Sequence, residues 1–254
     1  MKTDPVHFFI VGAQRSGTTY LYNLLDQINQ ISLNKPARPE PKFFIDNYEN
    51  AGIDEYMKIF ASKVGANTLA YGEKSTSYYE IDQVPDRIKN FFPKGRIIFL
   101  LRNPVERAIS NYFFSVENGL ETRDIHAVFL DQEKPPNYSS SISVSPFNYL
   151  GRGMYFESVN RFIQKFGSDF VYVMTLEELT EDPYHEIKKL IEFLEIEIPS
   201  HSIESVNIDT GRNESCRSSS TYMEEITLNL QTIYREDVKK LEKLLERDFH
   251  NWKF

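Results

Sequence analysis

The chain is poor in cysteine, with Cys216 as the single cysteine among 254 residues. One cysteine excludes an internal disulfide, which is typical of proteins from a reducing compartment. The sequence also lacks the run of about 18 apolar residues that a membrane-spanning helix needs. Its first residues show no basic stretch followed by an apolar one, the pattern of a secretory signal. We therefore expect a cytoplasmic protein with no membrane anchor.

An excess of basic residues is missing too. Residues 1–127 carry 15 Lys and Arg against 15 Asp and Glu, and residues 128–254 carry 14 against 22, which accounts for the net charge of −8. Proteins that bind nucleic acid usually show a basic footprint. Nucleic acid is therefore not an expected partner, although basic residues of the first half can still hold a small anion.

Two kinds of catalytic pattern are absent as well. The five histidines do not recur at the spacings of metal ligands, and the lone cysteine has no second thiolate beside it. A Gly-x-Ser-x-Gly nucleophile elbow does not occur. We therefore expect neither a metal cofactor nor serine hydrolase chemistry.

What the sequence does contain is an alternation of strand and helix signals, in a composition that is ordinary for a globular protein. Short apolar runs typical of strands occupy 7–11, 68–74, 96–101 and 170–174. Helix signals occupy 18–28, 85–92, 105–116, 176–179, 183–194 and 222–247. This alternation predicts an α/β fold: a single doubly wound domain over residues 1–254, with a central parallel sheet flanked by helices.

Two segments interrupt the alternation. Residues 34–50 are rich in proline and aromatic residues, and residues 119–150 contain a Lys-Pro-Pro sequence and a serine-rich stretch. We predict both as loops that cover an acceptor site. The last helix, 222–247, carries apolar residues at helical spacing and is predicted to pack on the sheet.

The strongest local signal is the segment 12–19, GAQRSGTT, which follows a predicted strand and opens a predicted helix. In that position, backbone N–H groups and the helix N-terminus can hold an anion. The loop of nucleoside triphosphatases has a lysine where this chain has Thr18, and the basic residue here is Arg15, three positions earlier. The segment predicts a phosphate-binding loop, with a tight turn that binds nothing as the alternative.

The segment 14–19, QRSGTT, resembles the 5′-phosphosulfate loop of sulfotransferases that use 3′-phosphoadenosine 5′-phosphosulfate (PAPS), with Arg15 at the usual lysine position. The segment 101–112, LRNPVERAISNY, is similar to the 3′-phosphate motif of that family. In that motif an arginine at a strand end and a serine eight residues later hold the phosphate, and these are Arg102 and Ser110 here. The planar guanidinium fork of arginine suits a phosphate group.

Two further segments are similar to the Golgi sulfotransferases of heparan-type glycans. The segment 40–44, EPKFF, corresponds to their EPHFF, and the segment 73–79, EKSTSYY, corresponds to their EKTPSYF. The four motifs lie in family order between residues 8 and 112, and weaker similarity continues to residue 183. The resemblance implies the P-loop-like sulfotransferase fold and PAPS as co-substrate, with adenosine 3′,5′-bisphosphate (PAP) as its product.

The resemblance also implies roles for the matched residues. Glu40 is expected to be the general base that takes the proton of the acceptor. Lys74 and Arg15 are expected to neutralise charge on the leaving oxygen. The residues expected to hold the 5′-phosphate are Ser16, Gly17, Thr18 and Thr19. Nearer the C-terminus, Arg217 and Ser218 match a loop that closes over the 3′-phosphate.

The sequence departs from these relatives at two positions near Glu40. Lys42 stands where they have histidine, and Ile45 stands where they have aspartate. Lys42 is therefore a catalytic candidate that contacts the sulfuryl group or an acceptor anion, and an exposed side chain is the equal alternative.

These observations favour a sulfotransferase that moves a sulfuryl group by in-line displacement to a hydroxyl, or less favourably to an amine. The acceptor is a small metabolite, a secondary metabolite or a glycan, and the net charge counts against a polyanionic chain. A kinase-like P-loop phosphotransferase is one alternative, and Thr18 in place of the loop lysine counts against it. A non-catalytic nucleotide-binding module is another, and the presence of Glu40, Arg15 and Lys74 counts against that.

Overall fold

The computed structural model describes residues 4–46, 48–49, 51–60, 67–138, 146–209, 222–252 and 254. Within them, five parallel strands form one sheet: β1 (Val6–Gly12), β2 (Ile31–Leu33), β3 (Ala70–Lys74), β4 (Arg96–Leu101) and β5 (Val171–Thr175). The strand order is β2-β3-β1-β4-β5, so the chain builds first on one side of β1 and then on the other. The carboxyl ends of β1 and β4 border this change of direction, which is where ligands bind in open α/β sheets.

Helices connect the strands and extend beyond the sheet. Their bounds are α1 (Thr18–Leu25), α2 (Phe43–Asp46), α3 (Ile53–Met57), α4 (Val84–Phe91), α5 (Pro104–Glu117), α6 (Ile125–Phe129), α7 (Tyr155–Phe166), α8 (Leu176–Glu181), α9 (Pro183–Phe193), α10 (Ser200–Glu204) and α11 (Met223–Leu245). In the described part of the chain, none of them has both the length and the apolar composition to cross a bilayer.

Helices pack on both faces of the sheet. Side chains alternate between the two faces along a strand, and Phe8 of β1 is buried in one cluster with side chains of α1 and α9. On the opposite face, the ring of Phe9 lies 5.4 Å from that of Phe92, and the ring of Phe99 lies 5.3 Å from that of Phe162. The doubly wound parallel α/β sheet predicted from the sequence is confirmed.

The chain divides into two compact units. The first comprises Met1–Leu101 and Val159–Arg212 and contains the sheet. The second comprises Arg102–Ser158 and Asn213–Phe254 and, in its described part, is built from helices and the turns between them. A single sulfotransferase domain over residues 1–254 stays a prediction.

The last helix, α11, belongs to the second unit, where it packs against α5 and α6. Asn229 donates to the carbonyl of Phe129 in α6 at 2.8 Å. Asp237 accepts the first two N–H groups of α7, from Tyr155 at 2.7 Å and from Phe156 at 3.2 Å. The apolar spacing of this helix predicted its existence correctly. Spacing does not specify the partner surface, and the predicted packing on the sheet is replaced by packing within the second unit.

Both segments predicted as loops contain a short helix. Helix α2 lies within residues 34–50, and α6 lies within residues 119–150, where Asp124 caps it by accepting the N–H of His126 at 2.8 Å. Helices of four or five residues are too short to produce a helical period in the sequence. A role of these segments in covering an acceptor stays a prediction, and residues 139–145 lie outside the described residues.

Candidate active site

The loop that joins β1 to α1 has the backbone geometry of an anion site. Arg15 and Gly17 adopt left-handed conformations, with φ of 66° and 83°. A Cβ atom at Gly17 would lie 2.5 Å from Cδ1 of Leu176, so only glycine fits there. The first turn of α1 has no side-chain cap and no acidic residue in the described structure. The positive end of the helix dipole is therefore open to a negatively charged ligand.

Hydroxyl groups line this loop. Ser16 is fully buried, and its Oγ has no hydrogen-bond partner among the described residues. A buried polar atom without a partner is costly, so an oxygen of a bound anion is a suitable partner for this hydroxyl. Thr18 is buried as well. Thr19 accepts a hydrogen bond from the guanidinium of Arg38 at 3.1 Å, which leaves its hydroxyl proton able to donate elsewhere.

The carboxylate of Glu40 lies in a cluster of donors at the carboxyl end of β3. Lys74 donates its ammonium to Oε1 of Glu40 at 2.5 Å. The backbone N–H of Thr76 donates to Oε2 at 2.8 Å, and its hydroxyl lies 3.0 and 2.9 Å from the two carboxylate oxygens. The side chain of Lys74 is 2% exposed and that of Glu40 is 17% exposed. The structure therefore joins two residues that the sequence analysis predicted as catalytic.

Register places this cluster beside the anion loop. Lys74 is the partner of Ile10 across the β1–β3 pair, two residues before the end of β1. Gln14, within the loop, donates its side-chain amide to the hydroxyl of Ser77 at 2.8 Å. The segments 12–19 and 73–79, 63 positions apart where this hydrogen bond joins them, form one continuous site in the first unit.

Asn34 ties the segment that carries Glu40 to the strand that carries Lys74. Its side-chain oxygen accepts the backbone N–H of Lys74 at 2.9 Å, and its side-chain amide donates to the carbonyl of Pro36 at 3.0 Å. Its carbonyl accepts the hydroxyl of Tyr22 from α1 at 2.7 Å. Asn34 was not singled out from the sequence because only the pairing of β2 with β3 brings it to this position.

A second buried carboxyl lies directly behind the cluster. Glu73 is fully buried and accepts hydroxyl hydrogen bonds from Ser75, at 2.7 Å, and from Tyr78. Burial raises the pKa of Glu73 to about 7, and the charge of Glu40 adds to the rise, against hydrogen bonds from Tyr78, Ser75 and Tyr56 that lower it. The sequence analysis quoted Glu73 within a motif but assigned it no role.

The remaining predicted residues differ in how the structure places them. Lys42 has a left-handed backbone with φ of 48°, its N–H donates to Ser75 at 2.9 Å, and its side chain is half-buried. Arg15 is exposed at the anion loop. Arg38 and Thr76 were not predicted as site residues. A basic residue two positions before Glu40 was the available signal for Arg38.

The two residues predicted to hold the 3′-phosphate belong to the second unit. Asn103 caps α5, as predicted, by accepting the N–H of Val105 at 2.9 Å. Arg102 precedes the cap and pairs with Glu106 of the first turn at 3.2 Å. Ser110 lies four residues after Glu106 and therefore on the same face of α5. Arg217 and Ser218, predicted to close over this phosphate, lie outside the described residues.

Known proteins share the sequence of this chain to different extents. The sequence model of the family described as Sulfotransferase domain matches residues 5–251. The bifunctional heparan sulfate N-deacetylase/N-sulfotransferase 1 of Xenopus laevis is 36% identical over 106 residues, which cover 41% of this chain and 12% of that protein. The human bifunctional heparan sulfate N-deacetylase/N-sulfotransferase 3 is 26% identical over 214 residues, which cover 83% and 24%. The chain thus spans a quarter or less of the length of these two relatives.

Solved structures share the fold. A sulfotransferase from Alicyclobacillus acidocaldarius superposes with a TM-score of 0.73 at 25% identity, covering 99% of both chains. A mouse sulfotransferase complexed with PAP superposes with a TM-score of 0.56 at 16% identity, covering 97% of this chain and 90% of that one. The P-loop-like sulfotransferase fold expected from the sequence is confirmed. Because the family match extends over nearly the whole chain, this protein belongs to the sulfotransferase domain family.

Proposed function

We propose that this enzyme transfers the sulfuryl group of PAPS to a hydroxyl group by direct in-line displacement, with Glu40 as general base. The observation that carries the proposal is the cluster of Glu40, Lys74 and Thr76 next to an uncapped, glycine-containing anion loop. This arrangement combines a base, a buried cation and an anion site, which are the groups that such a transfer requires.

The anion loop fits the phosphosulfate end of the donor. The buried hydroxyl of Ser16, the first N–H groups of α1 at Thr18 and Thr19, and the open backbone at Gly17 supply donors to phosphate and sulfate oxygens. Bound PAPS supplies an activated sulfuryl group whose leaving group is PAP. Arg15 adds positive charge at the same loop.

Lys74 and Glu40 divide the charge changes of the reaction between them. Sulfur forms a bond to the acceptor oxygen and loses its bond to the bridging oxygen of the donor. Glu40 takes the proton of the acceptor, and the ammonium of Lys74 stabilises the negative charge that develops on the bridging oxygen. A carboxylate offers about four lone-pair sites, and the described structure fills three of them with Lys74 and the two donors of Thr76. The fourth is available to an acceptor hydroxyl.

Three parts of the proposal rest on the sequence alone. Arg102 and Ser110 contact the 3′-phosphate of the donor, with Arg217 and Ser218 closing over it. Lys42 contacts the sulfuryl group or an anionic acceptor. The cytoplasm is the proposed location, in keeping with a single cysteine.

The acceptor is a small metabolite, a secondary metabolite or a glycan. The net charge of −8 favours a neutral or cationic acceptor over a polyanionic chain. An amine of a glycan is the second candidate, because the relatives at 36% and 26% identity are named as heparan sulfate N-sulfotransferases.

Two measurements test the proposal. Calorimetry with PAP, with ATP and Mg²⁺, and with 5′-AMP is expected to show clear preference for PAP. Incubation with PAPS carrying labelled sulfur and a panel of hydroxyl and amine acceptors is expected to yield a labelled product. Preferred binding of ATP with transfer of its phosphate would support the kinase-like alternative. PAP binding without transfer to any acceptor would support the non-catalytic module.

A further inference from the structure

The proposed chemistry leaves one buried acidic group without a task. Glu73 lies one residue before Lys74 in β3, so its side chain points to the opposite face of the sheet. It is the register partner of Phe9, on the face where Phe44, Tyr56 and Phe92 form an aromatic cluster. Acidic side chains are almost never fully buried unless they are paired with donors, so the partners of Glu73 show what it is for.

Those partners lead to the segment that carries the base. One arm runs from Glu73 to the hydroxyl of Ser75, whose oxygen accepts the backbone N–H of Lys42 at 2.9 Å. The other arm runs from Glu73 to the hydroxyl of Tyr78, whose oxygen accepts the backbone N–H of Phe44 at 3.0 Å. Each hydroxyl donates its proton to the carboxyl group, which orients its lone pairs toward the main chain of residues 42–44.

The same segment includes Glu40, and its other anchors lie on the same strand ending. Thr76 and Lys74 hold the carboxylate of Glu40 itself. The two hydroxyl arms hold the main chain two and four residues later. Glu40 is therefore fixed at both the side chain and the following backbone by residues 73–78, which follow one another in the chain.

We propose that Glu73 is a positioning residue, which through Ser75 and Tyr78 holds the main chain of residues 42–44 and thereby aims the Glu40 carboxylate at the acceptor hydroxyl. The inference rests on the proposed function of Glu40 as the base. A side chain that only filled the core would not need hydrogen bonds to two hydroxyls that both contact this one segment.

The test uses Ser75→Ala and Tyr78→Phe, each of which removes one arm and leaves Glu73 in place. Ser32→Ala is the matched control, because Ser32 is a buried serine of β2 whose Oγ has no hydrogen-bond partner among the described residues. Amide hydrogen exchange is measured at Lys42 and Phe44 in the full-length protein. We expect faster exchange at Lys42 in Ser75→Ala, faster exchange at Phe44 in Tyr78→Phe, and no change at either amide in Ser32→Ala.

The kinetic readout separates positioning from stability. A small displacement of a catalytic group costs about 10- to 100-fold in rate, so kcat is expected to fall by that factor in each arm variant. The KM for PAPS and the affinity for PAP are expected to stay within about twofold of wild type, because the donor contacts lie on other residues. Glu73→Gln keeps an acceptor oxygen for both hydroxyls and is expected to retain more activity than either arm variant.

Two results would overturn the inference. One is unchanged exchange at both amides in the arm variants. The other is faster exchange with kcat within twofold of Ser32→Ala, which would mean that the segment is anchored but does not aim the base. If Tyr78→Phe does not fold, Ser75→Ala carries both readouts. Failure of the proposed function gives a different result, because wild-type enzyme would then transfer no sulfuryl group whatever the exchange data show.

Discussion

The anion loop and the Glu40 cluster lie side by side in the first unit but are built from different materials. The loop relies on backbone: left-handed turns at Arg15 and Gly17 and an uncapped helix start. The cluster relies on side chains, with Glu40 joined to Thr76 across 36 positions of sequence. A site made of backbone tolerates exchange of its side chains, such as arginine for lysine at position 15. A site made of side chains depends on each of them.

The largest effect is expected where the cluster meets the chemistry. Glu40→Gln keeps the shape of the side chain but cannot take a proton, so turnover is expected to fall by roughly 10²- to 10⁴-fold. Steady-state rates with labelled PAPS measure this, and calorimetry with PAP is expected to show nearly unchanged binding. Wild-type turnover in this variant, together with an inactive Lys42→Met enzyme, would move the role of base to Lys42.

The pH dependence of stability tests the buried side of the cluster. Burial raises the pKa of Glu73 from 4.5 to about 7, so the folded state holds a proton that the unfolded state releases between these pH values. The free energy of unfolding should therefore fall as pH rises through this window, by about 3 kcal/mol, and level off above it. The groups that face Glu73 are Tyr78, Ser75, Tyr56 and Glu40.

Glu73→Gln removes this titration. Denaturant unfolding at pH 5 and at pH 8 is expected to show a smaller difference for the variant than for wild type. An equal difference in the two proteins would show that Glu73 is ionised throughout this pH range in the folded state.

A third variant tests whether side chains outside the first unit add to donor binding. Arg102→Ala is expected to weaken PAP binding by about 1.5–3 kcal/mol, the usual value of a hydrogen bond to a charged group. Binding of 5′-AMP, which lacks the 3′-phosphate, should hardly change. Calorimetry with both nucleotides measures the difference, and equal losses for the two would contradict the assignment of Arg102.

The smallest effect is expected at the backbone of the loop. Gly17→Ala forces a Cβ into a left-handed residue and toward Leu176, which costs about 1–2 kcal/mol in strain. Loss of PAP affinity and a lower melting temperature are both expected. Gly52→Ala is the matched control, since nothing lies within 4 Å of a Cβ at that position and its φ is −87°. Similar behaviour of the two variants would show that the loop does not need its observed shape.

Sequence reasoning performed best where local signals are strong. The bounds of β4 match the predicted 96–101, and α5 starts at Pro104 after the predicted cap Asn103. Strand β2 was missed because three residues are too few for a pattern. Helix α7 was not predicted, although its first turn is capped by Asp237, 81 or more positions away in the sequence.

The sequence by itself determined the order of elements, the anion loop and the membership of a family, because these depend on short motifs and local periodicity. It also named Glu40 and Lys74. Only the tertiary structure decided that they touch, that Thr76 and Asn34 hold them, and that Glu73 lies buried behind them. These contacts depend on the register of β3 against β1 and β2. Register arises from packing across the whole sheet, which no local segment of the chain encodes.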